Sequence, residues 1–348
     1  MMKNLRLYFH RLWHWEYWSF EAIYTPLVFI WIYYAIRAKS FFFFNASNPS
    51  IKNGGFLMES KKEIYDIIPE QYYPKTLLFS PNTNLSSIFD NIEQKKITFP
   101  LIAKPDIGMK GLAVEKINDK ISLQNYLSKI QVDFLIQELI TFPNEIGIFY
   151  YRLPNKKKGH ISGIVHKEFL TLVGNGINTM IELLQENSRF YLQLNSLKKI
   201  YGAQLNIILK KNETFNLVPY GNHSRGAKFT DVTHWNNEKL TQKIDEICQQ
   251  VPHFYYGRLD IKYNNFEELQ EGKNFSIIEI NGAGSEPTHI YDPKHSIFWA
   301  WREIIKHWDV LFKISQHNYK KGFSYLNFSE GIKMLRDNKK LVQKLKQF

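Results

Sequence analysis

The chain has 348 residues, of which 44% are hydrophobic, with 26 Phe, 20 Tyr and 8 Trp. That is enough for two or three domains and too apolar for general disorder. The formal net charge of +12 favours anionic partners such as nucleotide phosphates, a membrane surface or nucleic acid, although surplus lysine also suits a plain solvated surface. No helix-turn-helix, zinc-finger or RNP module is present, so nucleic acid is not expected as a partner. The single cysteine, Cys248, allows no intramolecular disulfide, and neither CxxC, HExxH nor a zinc-like histidine spacing occurs.

Residues 17–44, "YWSFEAIYTPLVFIWIYYAIRAKSFFFF", are dense in aromatics, and the stretch 22–36 carries no charge. A full membrane span needs roughly 20 apolar residues, so this run reaches that length only by taking in Glu21. Pro26 then falls in the first turns of the helix. Trp and Tyr suit a membrane interface, and Arg6, Arg11, Arg37 and Lys39 flank the segment. No small-residue cleavage site follows. A membrane-associated hairpin or single anchor is expected. The alternative is a buried aromatic helix or an oligomer contact such as a homodimer's.

Residues 45–61 read as a loop, with Asn-Pro and Gly-Gly as turn chemistry. A short helix and the strand "YPKTLLF" follow within 62–98. From Phe99 the pattern becomes α/β. "FPLIAKP", "LAVEKI", "DFLIQELI" and "EIGIFYYRL" predict strands, and "SLQNYLSKI" a helix. "HISGIVHKEFLTLV" reads as one extended stretch and "NTMIELLQENSRFYLQLNSL" as helical. "EKLTQKIDEICQQV" is a helix, "YGRLDIKY" and "FSIIEIN" are strands, and "SIFWAWREIIKHWDVLF" is a long helix. The end, 329–348, predicts a basic helix that packs or is solvated rather than binding a membrane. No internal repeat is present.

Side chains alternate faces along a strand. Arg258, Asp260 and Lys262 therefore share one face, and Glu279 and Asn281 share another. If the two strands are neighbours, Asp260, Glu279 and Asn281 converge as hard oxygen ligands of the kind Mg²⁺ takes. Arg258 beside them can neutralise phosphate charge. Lys104 ends a strand and precedes a loop with Gly108 and Gly111, whose backbone N–H groups suit phosphates. It is not a Walker loop, because GxxxxGK[ST] is absent. Glu138 and Glu145 bracket a strand-to-strand crossover, where backbone and carboxylate suit adenine and ribose. Each feature alone has an ordinary structural explanation.

Taken in order, "LIAKPDIGMKG", "LIQELI", "LVGNGINTMIELL", "GNHSRGAKFTDVTH", "YGRLDIKY" and "IIEINGAGSEP" resemble the ATP-grasp superfamily over about residues 99–295. Within it the resemblance is to amide-forming ligases, namely the ATP-grasp part of cyanophycin synthetase and, more distantly, D-alanine–D-alanine ligase. The resemblance implies an α/β fold of two α+β lobes clamping ATP. The residues themselves give an aromatic segment over 1–45, a short region over 46–98 and a basic helix over 321–348, and the resemblance implies an ATP-grasp region over 99–320. Within 99–320 the small lobe would be 99–140 and the large lobe 141–320. Lys104 and Lys167 match phosphate-binding lysines, and Gly108 and Gly111 the mobile glycine loop. Glu138 and Leu139 match the adenine hinge, and Glu145 the ribose acid. Asp260, Glu279 and Asn281 match the ligands of one or two Mg²⁺ ions, with Mn²⁺ able to substitute. Arg258 matches an arginine that stabilises the acyl-phosphate stage, and Asn222, Ser224 and Gly226 match the loop near the transferred phosphate. Ala227 stands where a second glycine is usual, and Arg225 before Gly226 faces either a substrate carboxylate, the phosphoryl group or solvent. By the same resemblance "GAGSEP" lies beside the acceptor, where small residues let a ligand approach the backbone.

The implied activity is ATP- and Mg²⁺-dependent joining of a small carboxylate to an amine through an acyl phosphate, in the cytoplasm at the inner face of the membrane. An ATP-grasp kinase and a non-catalytic nucleotide-binding scaffold are the alternatives. The usual N-terminal domain of such ligases is not evident in the residues before Phe99, which leaves the substrate class open.

Overall fold

The computed structural model describes residues 12–109, 111–218 and 226–348. In chain order they begin with two helices of the aromatic segment, α1 (Phe20–Tyr24) and α2 (Val28–Ala38), followed by α3 (Lys61–Asp66). Next come β1 (Thr76–Phe79), α4 (Leu85–Gln94), β2 (Leu101–Pro105), β3 (Glu115–Ile117), α5 (Lys120–Leu127) and β4 (Phe134–Glu138). These strands form a sheet of order β1-β4-β2-β3 with every pairing antiparallel. Its core is Leu101, Ile117, Leu123, Tyr126, Phe134 and Ile136. Because β1 pairs with β4, this lobe begins upstream of Phe99.

The second lobe runs β5 (Asn144–Tyr151), β6 (His160–Glu168), β7 (Leu170–Val173), α6 (Met180–Glu186), α7 (Ser188–Tyr191), α8 (Leu194–Tyr201), β8 (Thr214–Val218) and β9 (Lys228–Asp231). It continues with α9 (Glu238–Gln250), β10 (Tyr256–Tyr263), α10 (Phe266–Gln270), β11 (Phe275–Asn281), α11 (Ile297–Lys320) and α12 (Phe328–Leu345). The main sheet has the order β11-β10-β5-β6-β9, again all antiparallel. The stretch read as continuous from His160 breaks at Phe169, and β7 pairs with β8 in a separate two-stranded sheet. The single helical stretch expected after Asn178 is instead three short helices.

Alternation along the strands sets the two faces of the main sheet. Ile146, Ile148, Leu259, Ile261 and Ile277 pack on Leu240, Ile244 and Ile247 of α9. The opposite face meets α11 at one end, through Phe149, Tyr256, Leu311 and Phe312. The remainder of that face carries the charged residues of the candidate site.

The aromatic segment packs differently from a membrane hairpin. Helix α2 has 11 residues, about 16 Å at 1.5 Å per residue, against a hydrocarbon core of about 30 Å. No helix among the described residues is long and apolar enough to cross a membrane. Instead Trp31 and Tyr34 lie against Trp308 and Phe312 of α11, with ring centroids 5.2 and 5.0 Å apart. Phe43 and Phe44 are buried in the same cluster. The basic helix α12 packs, as expected. Gly331 sits on Phe42, and Leu345 joins the small-lobe core, with Phe348 against Tyr126.

The region 45–56 is part of the large lobe and not a linker. Buried Asn48 accepts from the backbone N–H groups of Tyr255 (2.9 Å) and Tyr256 (3.0 Å), and donates to the carbonyls of Tyr256 (2.8 Å) and Gly54 (3.0 Å). The Ala283 and Gly284 N–H groups donate to the Gly54 and Gly55 carbonyls, both at 2.9 Å. A Cβ on Gly282 would lie 2.8 Å from the Gly55 Cα. The small residues of "GAG" thus admit this chain's own backbone, where a ligand was expected.

Asn48→Ala removes a partner from the Tyr255 and Tyr256 N–H groups and from the Tyr256 carbonyl in a buried site, while the Gly54 carbonyl keeps the Ala283 N–H. A loss of about 3 kcal/mol is expected in urea unfolding. A loss under about 1 kcal/mol would show that Asn48 does not hold 45–56 to β10.

Candidate functional site

Strands β10 and β11 are neighbours, with Asp260 opposite Glu279 and Arg258 opposite Asn281. A bulge between these pairs and the Ile261–Ile277 pair leaves Ile278 without an opposite residue. The sequence-derived pairing is therefore what the fold brings together.

Asp260 is the hub. Its Oδ1 receives Arg258 Nε at 2.9 Å and lies 3.0 Å from Lys167 Nζ, and its Oδ2 receives Arg258 Nη2 at 3.0 Å. Lys167 also donates to Glu145 at 2.9 Å. Asp260, Glu145 and Lys167 are all buried. Burial alone would raise the Asp260 pKa, but Arg258 and then Lys167 outweigh it and hold it at about 2. Burial likewise opposes the Lys167 charge, while Asp260 and Glu145 more than restore it. Gly147 on β5 makes room for the hub. A Cβ there would meet Val165 at 2.8 Å and Asp260 Oδ1 at 3.2 Å.

The small lobe reaches the same place through Lys104 at the end of β2. Its Nζ donates to Gln137 Oε1 (2.9 Å) and the Tyr65 hydroxyl (3.0 Å), and lies 3.5 Å from the Ile278 carbonyl. Tyr65 donates to that carbonyl as well. The bulge therefore turns a backbone oxygen of β11 toward the other lobe. Burial pushes Lys104 down to about 8, with Glu279 and Asp106 pulling weakly the other way. Lys61 Nζ donates to the Gly108 carbonyl (3.0 Å) and lies 3.5 Å from Glu279. In the following loop Gly111 has φ +69°, a conformation that favours glycine. Glu138 closes β4 beside Lys75, and Leu139 opens the connection from β4 to β5.

A third wall comes from the N-terminal segment. Arg258 Nη1 donates to the Glu286 carbonyl at 3.3 Å, and the Glu286 carboxylate accepts from Tyr291 at 2.8 Å. Burial and then the charge of the same carboxylate push the hydroxyl of Tyr24 on α1 well above the ordinary tyrosine range. Trp15 stacks on Tyr291, and Glu16 pairs with Arg189 at 2.9 Å. Arg189 also donates to the Ala227 carbonyl at 3.3 Å. Asn222 and Arg225 lie outside the described residues.

Sequence reasoning missed Lys61, Tyr65, Gln137, Tyr24 and Glu286. Only Gln137 carried a signal, as a polar residue inside the apolar run "FLIQELI". The donor set of Asp260, Glu279 and Asn281 has the hard-oxygen chemistry of a Mg²⁺ site. Asp260, however, is already engaged by two cations, and the described residues contain no cluster of three acids, histidines or cysteines placed for a metal. The fit is in donor type, with Asn281 Nδ2 3.5 Å from Asp260 Oδ2.

No family model matches the chain. The glutathione biosynthesis bifunctional protein GshAB of Clostridium perfringens is 26% identical over 255 residues, covering 64% of this chain. The chain spans only 31% of that relative's length. A bifunctional glutathione synthetase from Pasteurella multocida superposes with TM-score 0.35 and 14% identity, covering 70% of this chain and 36% of that one. The D-alanine–D-alanine ligase of Bacillus anthracis complexed with ATP gives 0.44 and 13%, covering 76% and 68%. The chain is similar to ATP-grasp ligases, as its ordered motifs imply.

Lys104 titrates at about 8 in the folded protein against 10.5 for a free lysine. Between those values the unfolded chain binds a proton that the folded chain does not, so this group makes stability rise with pH. Below about pH 8 the buried charge is a cost. Lys104→Met removes that cost, so the variant's stability relative to wild type should fall by about 3 kcal/mol from pH 7 to pH 10.5 in urea unfolding. A difference that stays constant would show that Lys104 is not depressed.

Proposed function

We propose that this protein is an ATP-dependent ligase that joins a small carboxylate to an amine. The observation that carries the reading is Lys104 of one lobe reaching the Ile278 carbonyl and the charge of Glu279 on β11 of the other, the strand that pairs with Arg258 and Asp260 of the charged group. A set of cations and hard oxygens gathered between two lobes suits a nucleotide triphosphate better than any neutral ligand.

In the proposed reaction a substrate carboxylate oxygen attacks the γ-phosphorus of ATP. The new P–O bond forms as the bond to the bridging β–γ oxygen breaks, and ADP leaves with that electron pair. The amine nitrogen then attacks the acyl carbon, the C–O bond to phosphate breaks, and the amine gives up a proton. Lys104 and Lys167 supply positive charge to the phosphates. Arg258, fixed by Asp260 and the Glu286 carbonyl, stabilises the charge that develops on the acyl phosphate and the tetrahedral stage. Gly108 and Gly111 cover the phosphates, Glu138 and Leu139 hold adenine, and Glu145 serves the ribose. Asn222 and Arg225 complete the phosphoryl end. A Mg²⁺ ion, held by Glu279, Asn281 and one Asp260 oxygen, would supply further charge neutralisation when bound. The need for ATP favours a cytoplasmic reaction, and the exposed apolar side of the aromatic segment supports a position at the inner face of the membrane.

The full-length protein, given ATP, Mg²⁺ and pooled acids and amines, should release ADP. Asp260→Asn is expected to lower that release by about 100-fold or more. Hydroxylamine added in place of the amine should yield a hydroxamate. A stable phosphoester would mark a kinase instead. If no pool elicits ADP and Asp260→Asn leaves nucleotide binding unchanged, the ligase reading fails.

A further inference from the structure

Apart from Arg37 in its last turn, helix α2 is apolar or aromatic all the way round, yet only one side is covered. At 100° per residue its positions fall into two opposed stripes. Trp31, Tyr34, Ala35 and Ala38 turn inward against α11 and Phe43. Phe29, Ile32, Tyr33 and Ile36 turn outward and are 76%, 40%, 51% and 71% exposed. Beside this stripe an open groove is lined by Tyr34, Phe298, Trp301 and Ile305, with Phe298 73% exposed. Scattered apolar residues are normal on a surface, but a joined patch of this kind marks an interaction site.

The rim identifies the partner. Exposed Arg37 and Lys39 end the α2 stripe, and Arg302 and Lys306 border the groove. Glu303 pairs with both Lys306 and Arg302, and Asp309 pairs with Lys313, whereas Arg37 and Lys39 enter none of these pairs and leave the rim positive. Aromatic and aliphatic side chains edged by cations match the boundary between acyl chains and anionic headgroups. A second copy of the chain would set these cations against their own equivalents, a repulsive arrangement. The helix is too short to span and is packed on α11, so the face lies on the bilayer.

We infer that the outer stripe of α2 and the adjoining flank of α11 form a monotopic docking face for a bilayer rich in anionic lipid. The inference deepens the membrane placement proposed above and rests on it, and does not depend on the ligase chemistry.

Full-length protein would be sedimented with vesicles of phosphatidylcholine alone and of phosphatidylcholine mixed with phosphatidylglycerol. Binding to the anionic vesicles is expected to be about tenfold or more the stronger, and to weaken with salt. Phe29→Ser, Ile36→Ser and Phe298→Ser combined should reduce it by about tenfold or more. Arg37→Gln with Lys39→Gln should remove the preference for anionic lipid. Thermal stabilisation by ATP with Mg²⁺ serves as the folding control for every variant. If that stabilisation is missing in wild type while vesicle binding stands, the nucleotide reading fails alone. Absence of vesicle binding, equal binding to neutral vesicles, or binding indifferent to the substitutions overturns the inference. So does a dimer in sedimentation velocity that the triple substitution dissolves.

Discussion

Four charges share the centre of one sheet face, and the rest of the arrangement follows from keeping them balanced. Arg258 and Lys167 meet Asp260 and Glu145 across adjacent strands, with Asp260, Glu145 and Lys167 withdrawn from water. Desolvation makes each ion costly alone, so the group holds only as a set. The set fixes the relative positions of β5, β6 and β10, since Glu145, Lys167 and Asp260 come from one strand each. It also keeps Arg258 extended along the sheet, where its remaining N–H groups point at the loop after β11. Charge balance in this state is what would let the site accept a polyanion together with its cation without rebuilding the sheet.

The elements around that face do two jobs at once. The bulge at Ile278 keeps Glu279 on the same side as Asp260 and presents a carbonyl to Lys104 of the other lobe. Tyr65, between the lobes in sequence, touches both Lys104 and Ile278. Residues 53–56 lie on the loop 282–284 and leave it little freedom. Tyr24 and Glu16 reach Glu286 and Arg189, and α2 buries one side against α11. Its opposite side keeps the apolar character that first suggested a membrane, because a helix apolar on all faces can satisfy only one of them by packing on a single neighbour.

What the sequence by itself determined is local. Period-two alternation placed Arg258 and Asp260 on one face of β10, and Glu279 and Asn281 on one face of β11, because a strand's side chains can only alternate. The helical periods of α9 and α11 and the packing role of α12 were equally legible. What only the tertiary structure decided is which faces meet. No periodicity shows that β1 joins β4, that His160–Val173 divides between two sheets, or that Gly282 is small to admit Gly55. Lys61, Tyr65 and Tyr24 sit in segments with no motif, and they acquire a role only when chain folding sets them beside Glu279, Lys104 and Glu286. The length of an apolar run likewise cannot tell a buried helix from an anchor. That depends on whether another helix, here α11, lies alongside to cover it, and a contact between residues nearly three hundred positions apart leaves no trace in either local sequence.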